Sequence, residues 1–291
     1  MLAKILALRH GFKCTVLFAI NPADGTIDPV TLTNLPGMAA LDTADLCVVA
    51  LRFRELPDEQ MKHFVDYLEA GKPIIALRTS THAFAYEHNL HSPYAKYDWR
   101  SQTWPGGFGQ QVLGETWVSH HGNHGQESTR GVINRAFRSD PLLRGVTNIW
   151  GPTDVYTVEH LAFARDAQAA VPPDLARVLV WGQVLSGMHS NDPPVAGPKN
   201  EPLMPLAWQR EYRGAHGKLT PVFVTTMGAA VDLENEDLRR LLVNACYAAV
   251  GLPAELLPVS NVDYVGEYKP TWFGFGKFKR GLKPDDLRLA P

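Results

Sequence analysis

Residues 72–84, KPIIALRTSTHAF, constrain the fold more than any other stretch of the chain. Ile74, Ile75, Ala76 and Leu77 follow one another without a polar break. That is the composition of a short strand covered on both faces, as in a parallel sheet flanked by helices. Arg78, Thr79, Ser80, Thr81 and His82 come directly after it. In open α/β sheets, the groups that do chemistry gather just beyond the carboxyl ends of the strands. An arginine, three hydroxyls and a histidine at that place mark the centre of a functional site.

The flanking sequence supports such a sheet. Residues 1–9 have a helical apolar face (Leu2, Ile5, Leu6), and Gly11 stands where a helix-ending glycine belongs. Residues 14–20 (CTVLFAI) and 46–51 (LCVVAL) read as strands. Pro57 fits the first position of a helix whose stripe is Met61, Phe64, Val65 and Leu68, with Gly71 as its stop. Helix, strand, strand, helix, strand with short joins predicts a parallel α/β sheet. Further on, residues 132–135, 155–158, 177–183 and 222–226 read as strands, 190–202 as a surface loop, and 235–250 as a helix. The last forty residues lack periodicity. They carry Tyr264, Tyr268, Trp272, Phe273, Phe275 and Phe278 and predict an ordered aromatic arm, residues 259–291, lying on a domain of residues 1–258 or on a neighbouring subunit.

Composition narrows the partners. A net charge of −2 over 291 residues supplies no basic face for nucleic acid or an anionic membrane. No apolar run approaches the roughly 20 residues of a membrane span. Cys14, Cys47 and Cys246 lie far apart in apolar contexts and read as buried free thiols. Residues 1–8 do not read as a signal peptide, so a cytoplasmic location is expected for the sequence as given, and a periplasmic or secreted one if a leading segment has been removed.

A second polar cluster, SHHGNHG, holds His120, His121 and His124. Three imidazoles in five residues suit a divalent metal such as zinc, with His82 as a further ligand. They equally suit a general acid/base at His120 or His121 near pH 7, or histidines that line a pocket and bond within loops. Arg78 needs a partner if buried: it clamps a ligand's carboxylate or hydroxyls, or pairs with Asp154 or Glu115. His82 acts on a ligand or caps the turn that follows. Asp154 orients a histidine, binds a hydroxyl or serves its turn. Asp232 and Glu234 read as first-turn acids of the last helix. There is no G-x-S-x-G elbow and no glycine-rich phosphate loop.

Taken together, LRTSTHAF, VLGETWVSHHGNHG, DPLLRGV with GPTDVY, and MPLAWQREY with GKLTPVFVTTMG resemble the ThuA-like, or trehalose-utilisation, family over residues 1–252. The resemblance implies a three-layer α/β/α domain with a flavodoxin-like, mostly parallel sheet, of the class I glutamine-amidotransferase-like type. It places His82 at the amidotransferase nucleophile loop, His120 at the family's histidine, Asp154 and Tyr156 on its Asp-x-Tyr pair, and Trp208 on its tryptophan before the last strand. Ala229 stands where many relatives have a histidine after glycine, and no elbow cysteine is present, so glutamine hydrolysis is not expected. The family begins with a strand ahead of the first helix. Its link to carbohydrate metabolism implies an enzyme that hydrolyses or cleaves a small, 3-keto glycoside. His82, His120 and His121 would be catalytic. Arg78, Thr79, Asp154 and Tyr156 would hold substrate, and Trp99, Trp104 and Trp117 would stack on it. The metal version uses His120, His121 and His124. The alternatives are a sugar-binding protein without catalysis and an interaction protein that forms a homo-oligomer through its aromatic arm.

Overall fold

The strand at residues 74–77 forms as its composition predicts and divides the interior in two. The computed structural model describes residues 1–158, 176–272, 274, 276 and 278–289. β1 (Cys47–Val49) and β2 (Ile74–Leu77) pair in parallel, and all four residues of β2 are buried. Successive side chains of a strand point to opposite faces. Ile74 and Ala76 therefore join one core with Phe64, Leu68 and Trp208, while Ile75 and Leu77 join another with Ile5, Leu238 and Leu242. The first core is covered by α2 (Asp58–Glu69), through its stripe of Met61, Phe64 and Leu68. The second is covered by α1 (Leu2–His10) and α3 (Glu236–Ala249). Fully burying each such side chain contributes about 1.5–3 kcal/mol. The helix ends follow local chemistry: Gly11 closes α1 in the left-handed region at φ 72°, and the Asn235 side chain accepts from Leu238 N to cap α3.

The remaining strands are β3 (Ser119–His120), β4 (Thr129–Ile133), β5 (Ile149–Gly151), β6 (Tyr156–Thr157), β7 (Arg177–Val184), β8 (Met204–Arg213) and β9 (Leu219–Thr225). Seven strands form one sheet in the order β1-β2-β9-β8-β7-β4-β5, and β3 with β6 makes a separate two-stranded ribbon. Only the β1-β2 and β2-β9 pairs are parallel. From β9 to β5 every neighbour is antiparallel. The chain is α/β, but the flavodoxin-like, mostly parallel sheet expected from the resemblance is corrected to a mixed, mostly antiparallel one. The reason is local. A parallel pair needs a crossover connection, whereas β8 returns into β9 through a tight turn in which Gly214 N donates to Lys218 O.

Two other expectations change. Residues 14–20 form no strand: residues 13–18 make no backbone hydrogen bond to any described residue, and Val16 and Cys14 are exposed. A strand exists only beside a neighbour, and β1 at the sheet edge pairs with β2 alone. Of the three thiols read as buried, only Cys246 is; Cys47 is half-buried and Cys14 exposed. Parts of the C-terminal segment contact the rest of the chain. Val262 is buried against α3, the Tyr264 and Tyr268 hydroxyls donate to Glu234 O and Ala230 O, and Ile27 N donates to Leu282 O. Phe273 and Phe275 lie outside the described residues. No described helix is long and apolar enough to cross a membrane.

A close backbone approach seats the polar turn that follows β2. Gly109 begins a short π-type turn (Gly109–Leu113), and a Cβ added there would lie 2.1 Å from Thr81 O and 2.9 Å from Glu115 O. Only glycine permits that contact. The same turn is anchored from the sheet, where the fully buried Trp208 donates from Nε1 to Leu113 O at 2.8 Å. Gly109→Ala should therefore displace the Thr81 carbonyl and lower stability by about 1–3 kcal/mol. Urea unfolding measures the loss, and chemical shifts of the His82 ring report the displacement.

Candidate functional site

The chain leaves β2 at Leu77 and bends at once. Arg78 has φ 38°, in a region that residues with a side chain rarely occupy. Such backbone costs of order 1–3 kcal/mol and persists where its surroundings over-determine it. Here they do. Arg78 N donates to Met227 O, Nη1 donates to Thr226 O at 2.9 Å and to Asp154 O at 3.0 Å, and Nη2 donates to Asp154 Oδ1 at 3.0 Å. The guanidinium also lies 4.2 Å from the centre of the Tyr156 ring, a cation–π contact. Residues 78–82 then coil into one tight turn. Thr79 and Ser80 spend their hydroxyls on Leu51 O and Val49 O, at 2.8 Å each, which ties the turn to the end of β1.

The second half of the site comes from the β3–β6 ribbon. His120 sits directly opposite Tyr156 in its register. Gly122 lets the loop close on the turn before β6: a Cβ there would lie 3.2 Å from Asp154 Cβ. Asp154 is 1% exposed. Its Oδ2 bonds to His120 Nδ1 at 2.6 Å, and its Oδ1 bonds to His124 Nδ1 at 2.8 Å as well as to Arg78. Burial alone would raise the Asp154 carboxyl. The Arg78 charge and the hydrogen bonds from His124 and His120 outweigh that and hold it below its ordinary value. A carboxylate bonded to Nδ1 fixes the imidazole's orientation and leaves Nε2 to meet a substrate.

His82 is 3% exposed and lies among rings: Phe53 at 5.0 Å, Trp117 at 5.1 Å, Tyr156 at 5.9 Å and Trp99 at 6.5 Å between centroids. Burial, and then the charges of Arg52, Arg78 and His120, push its pKa down to about 3. It is a neutral hydrogen-bonding ring at physiological pH. Trp117 joins the two halves, 5.1 Å from His82 and 5.7 Å from His120, and its indole Nε1 is buried without a hydrogen-bond partner among the described residues.

The turn after β2 and the histidine loop thus meet in one constellation of Arg78, His82, Trp99, Trp117, His120, His124, Asp154 and Tyr156. Three residues named from the sequence behave otherwise. His121 turns away and bonds through Nε2 to Lys199 O at 2.7 Å. Trp104 packs on Tyr97 and Tyr212, toward the opposite end of the sheet. Thr79 is engaged with Leu51, as above. Phe53, with φ 50° and its N–H on His82 O, joins the site without a motif to mark it; its position just past a strand end is the one signal in the sequence.

His120, His124 and Asp154 offer ligand atoms that all lie within 4.8 Å of one another. Two imidazoles and a carboxylate form a donor set that divalent transition metals use. In this geometry, however, both carboxylate oxygens are engaged, and Oδ1 also carries the Arg78 guanidinium. A dication there would share its one anionic ligand with a fixed positive charge 3.0 Å from that oxygen. The three groups can serve as a histidine–aspartate pair or, with Arg78 on the same carboxylate, as ligands of a divalent ion.

No family model matches the chain, and no curated protein matches it. Two solved crystal structures similar to it are of ThuA-like proteins. One, from Parabacteroides merdae ATCC 43184, is 16% identical with a TM-score of 0.49, covering 88% of this chain and 85% of that one. The other, from Bacteroides uniformis ATCC 8492, is 14% identical with a TM-score of 0.46, covering 85% of this chain and 81% of that one.

The ion pair has a pH signature. Because the folded Asp154 carboxyl titrates below 3.8, its contribution to stability is complete above the unfolded value and is lost as pH falls through the lowered one. Asp154→Asn should flatten the rise of unfolding free energy with pH on the acid side of about pH 4. Denaturant melts of both proteins from strongly acidic to mildly acidic pH test this; parallel curves would show that the pair carries no such linkage.

Proposed function

We propose that the chain is a carbohydrate-processing enzyme that cleaves a small glycoside oxidised at C3 of the sugar ring, with His120 as the acid/base group. The observation that carries this reading is the His120–Asp154 pair, its outer nitrogen unclaimed among the described residues, beside a wall formed by Trp117, Trp99 and Tyr156. Aromatic faces stack on sugar rings, and an oriented imidazole is the usual base for a carbon acid. The sequence motifs of ThuA-like type point to the same substrate class.

The chemistry follows from the ketone. A C3 carbonyl acidifies the hydrogen on C2. His120 Nε2 takes that proton, the C2–H electron pair passes into an enolate over C2 and C3, and the enolate re-forms the ketone while expelling the glycosidic oxygen from C1. The leaving oxygen receives the proton from the His120 imidazolium. The products are an unsaturated keto sugar and a free hydroxyl, and water can later add to the new double bond. His82, neutral above about pH 3, hydrogen-bonds the bound sugar rather than supplying a proton. Asp154 stabilises the imidazolium, and Arg78 holds Asp154. A route through paired carboxylates, the usual glycosidase design, has less support, because Asp154 is committed to Arg78 and two histidines.

The test is incubation with a 3-keto disaccharide in deuterated water. The expected result is release of the second sugar with a C1–C2 unsaturated keto sugar, and deuterium at C2 of recovered substrate and of any product to which water has added. His120→Asn should lower turnover by about 10²–10⁴-fold while retaining sugar affinity by calorimetry. His82→Asn should weaken binding and leave the acid limb of the kcat profile in place. Full turnover in His120→Asn would overturn the assignment, and binding with neither release of the second sugar nor C2 exchange in the wild type would favour a sugar-binding protein.

The metal alternative has its own check. Purified protein should contain less than stoichiometric zinc, manganese or iron, and chelation should leave turnover unchanged. One metal per chain, lost in His124→Ala, would replace the acid/base pair with a metal centre.

A further inference from the structure

We propose that Asp232 is a positioning residue for the site. It locks together the two backbone segments that hold the Arg78–Asp154 pair, and through Thr153 it sets the orientation of His120. From sequence, this residue reads as an ordinary acid at the start of the last helix. The structure places it elsewhere: fully buried, in a short 3₁₀ turn (Ala230–Glu234) after β9.

Its two oxygens accept from two directions. From the segment before β6 come Thr153 N at 3.2 Å and Thr153 Oγ1, 2.8 Å from each oxygen. From the segment after β9 come Gly228 N and Ala229 N, each at 3.0 Å. The first segment carries Asp154 as the very next residue. The second continues the backbone whose Thr226 and Met227 carbonyls bind the side chain and amide of Arg78. One carboxylate therefore cross-links the support of the cation to the support of the anion. The fit is close on a third side as well, since a Cβ on Gly151 would lie 2.5 Å from Asp232 Oδ1.

A carboxylate used only as a turn cap would need the Gly228 and Ala229 donors and no more. The additional bonds to Thr153 are what the positioning role requires. They fix the backbone one residue ahead of Asp154, whose Oδ2 is 2.6 Å from His120 Nδ1. A small rotation at residue 153 would carry that oxygen off the imidazole, which would then no longer be held as the Nδ1–H form with Nε2 free.

Thr153→Val tests this, because it keeps the buried volume and the amide donor and deletes only the hydroxyl. Histidine ring ¹⁵N spectra of the full chain read the tautomer of each imidazole at neutral pH. The expected result is a single Nδ1–H form for His120 in the wild type, a mixture of forms in Thr153→Val, and recovery in Thr153→Ser. His121, anchored to Lys199 O, should not change in any of them. Asp232→Asn should shift His120 in the same way, and Thr153→Val keeps the test decisive if that variant does not fold. A Thr153→Val protein that melts earlier but keeps the wild-type His120 spectrum would overturn the proposal and leave Asp232 a structural cap.

The catalytic consequence rests on His120 being the acid/base group. On that reading Thr153→Val lowers kcat about tenfold or more and leaves KM unchanged. A shifted His120 spectrum with unaltered turnover would sustain the positioning role and sink the acid/base assignment, so the two failures are separable.

Discussion

The buried ion pair between Arg78 and Asp154 is the constraint on which the site depends. Taking both charges out of water costs several kcal/mol per ion, and attraction alone recovers this only when the remaining donors and acceptors are also satisfied. The protein meets that condition from several elements at once. Carbonyls of residues 154 and 226 accept from the guanidinium, the Tyr156 ring lies against it, and two imidazoles bond to the carboxylate. The pair also joins two parts of the architecture that share no strand: the parallel end of the main sheet and the small β3–β6 ribbon. Removing either charge would strand the other, and such half-broken pairs are costly by about 3–5 kcal/mol. The left-handed backbone at Arg78 is a local expense of the same arrangement.

Much of this is legible in the order of the residues. The apolar run at residues 74–77 is uninterrupted and too short for a helix, so it places β2 and the rim beyond it. An arginine at the end of a buried strand demands a partner, and Asp154 is one of two acids that suit it. The histidine loop is harder to read. SHHGNHG presents three similar rings, yet β3 ends at His120, and His121 just past it bonds to Lys199 O while His120 faces Asp154. A two-residue strand shows no period of its own, so the sequence does not mark which ring faces the site until β6 pairs with it. Trp104 cannot be told from Trp99 and Trp117 in the same way, because the aromatic loop has no period. Asp232 escapes notice because an acid a few residues ahead of a helix has an ordinary explanation.

Sheet direction is the main thing the residues do not disclose. Residues 1–77 alternate helices and strands, and the two strands they supply, β1 and β2, pair in parallel as expected. The rest is built from β7, β8 and β9, long strands joined by loops. Their apolar residues describe burial on two faces, which parallel and antiparallel strands satisfy equally well. Direction is set by how each loop returns, and β8 is visible in the sequence only as part of a family-like motif. The same physics explains residues 13–18, which have strand composition without strand structure: composition states what a backbone would prefer, and pairing needs a neighbour.

That last segment has a further consequence. Residues 13–18 and the outer side of β1 present amide and carbonyl groups that no described part of the chain engages, alongside exposed Val16 and Val48. Protein backbones rarely leave such groups idle, and sheets that do so usually guard the margin with charge, proline or a bulge. This flank resembles a zip with one row of teeth. An extended segment of apolar character laid along it would find hydrogen-bonding groups already in line, at a margin of the sheet other than the rim that carries Arg78 and His120.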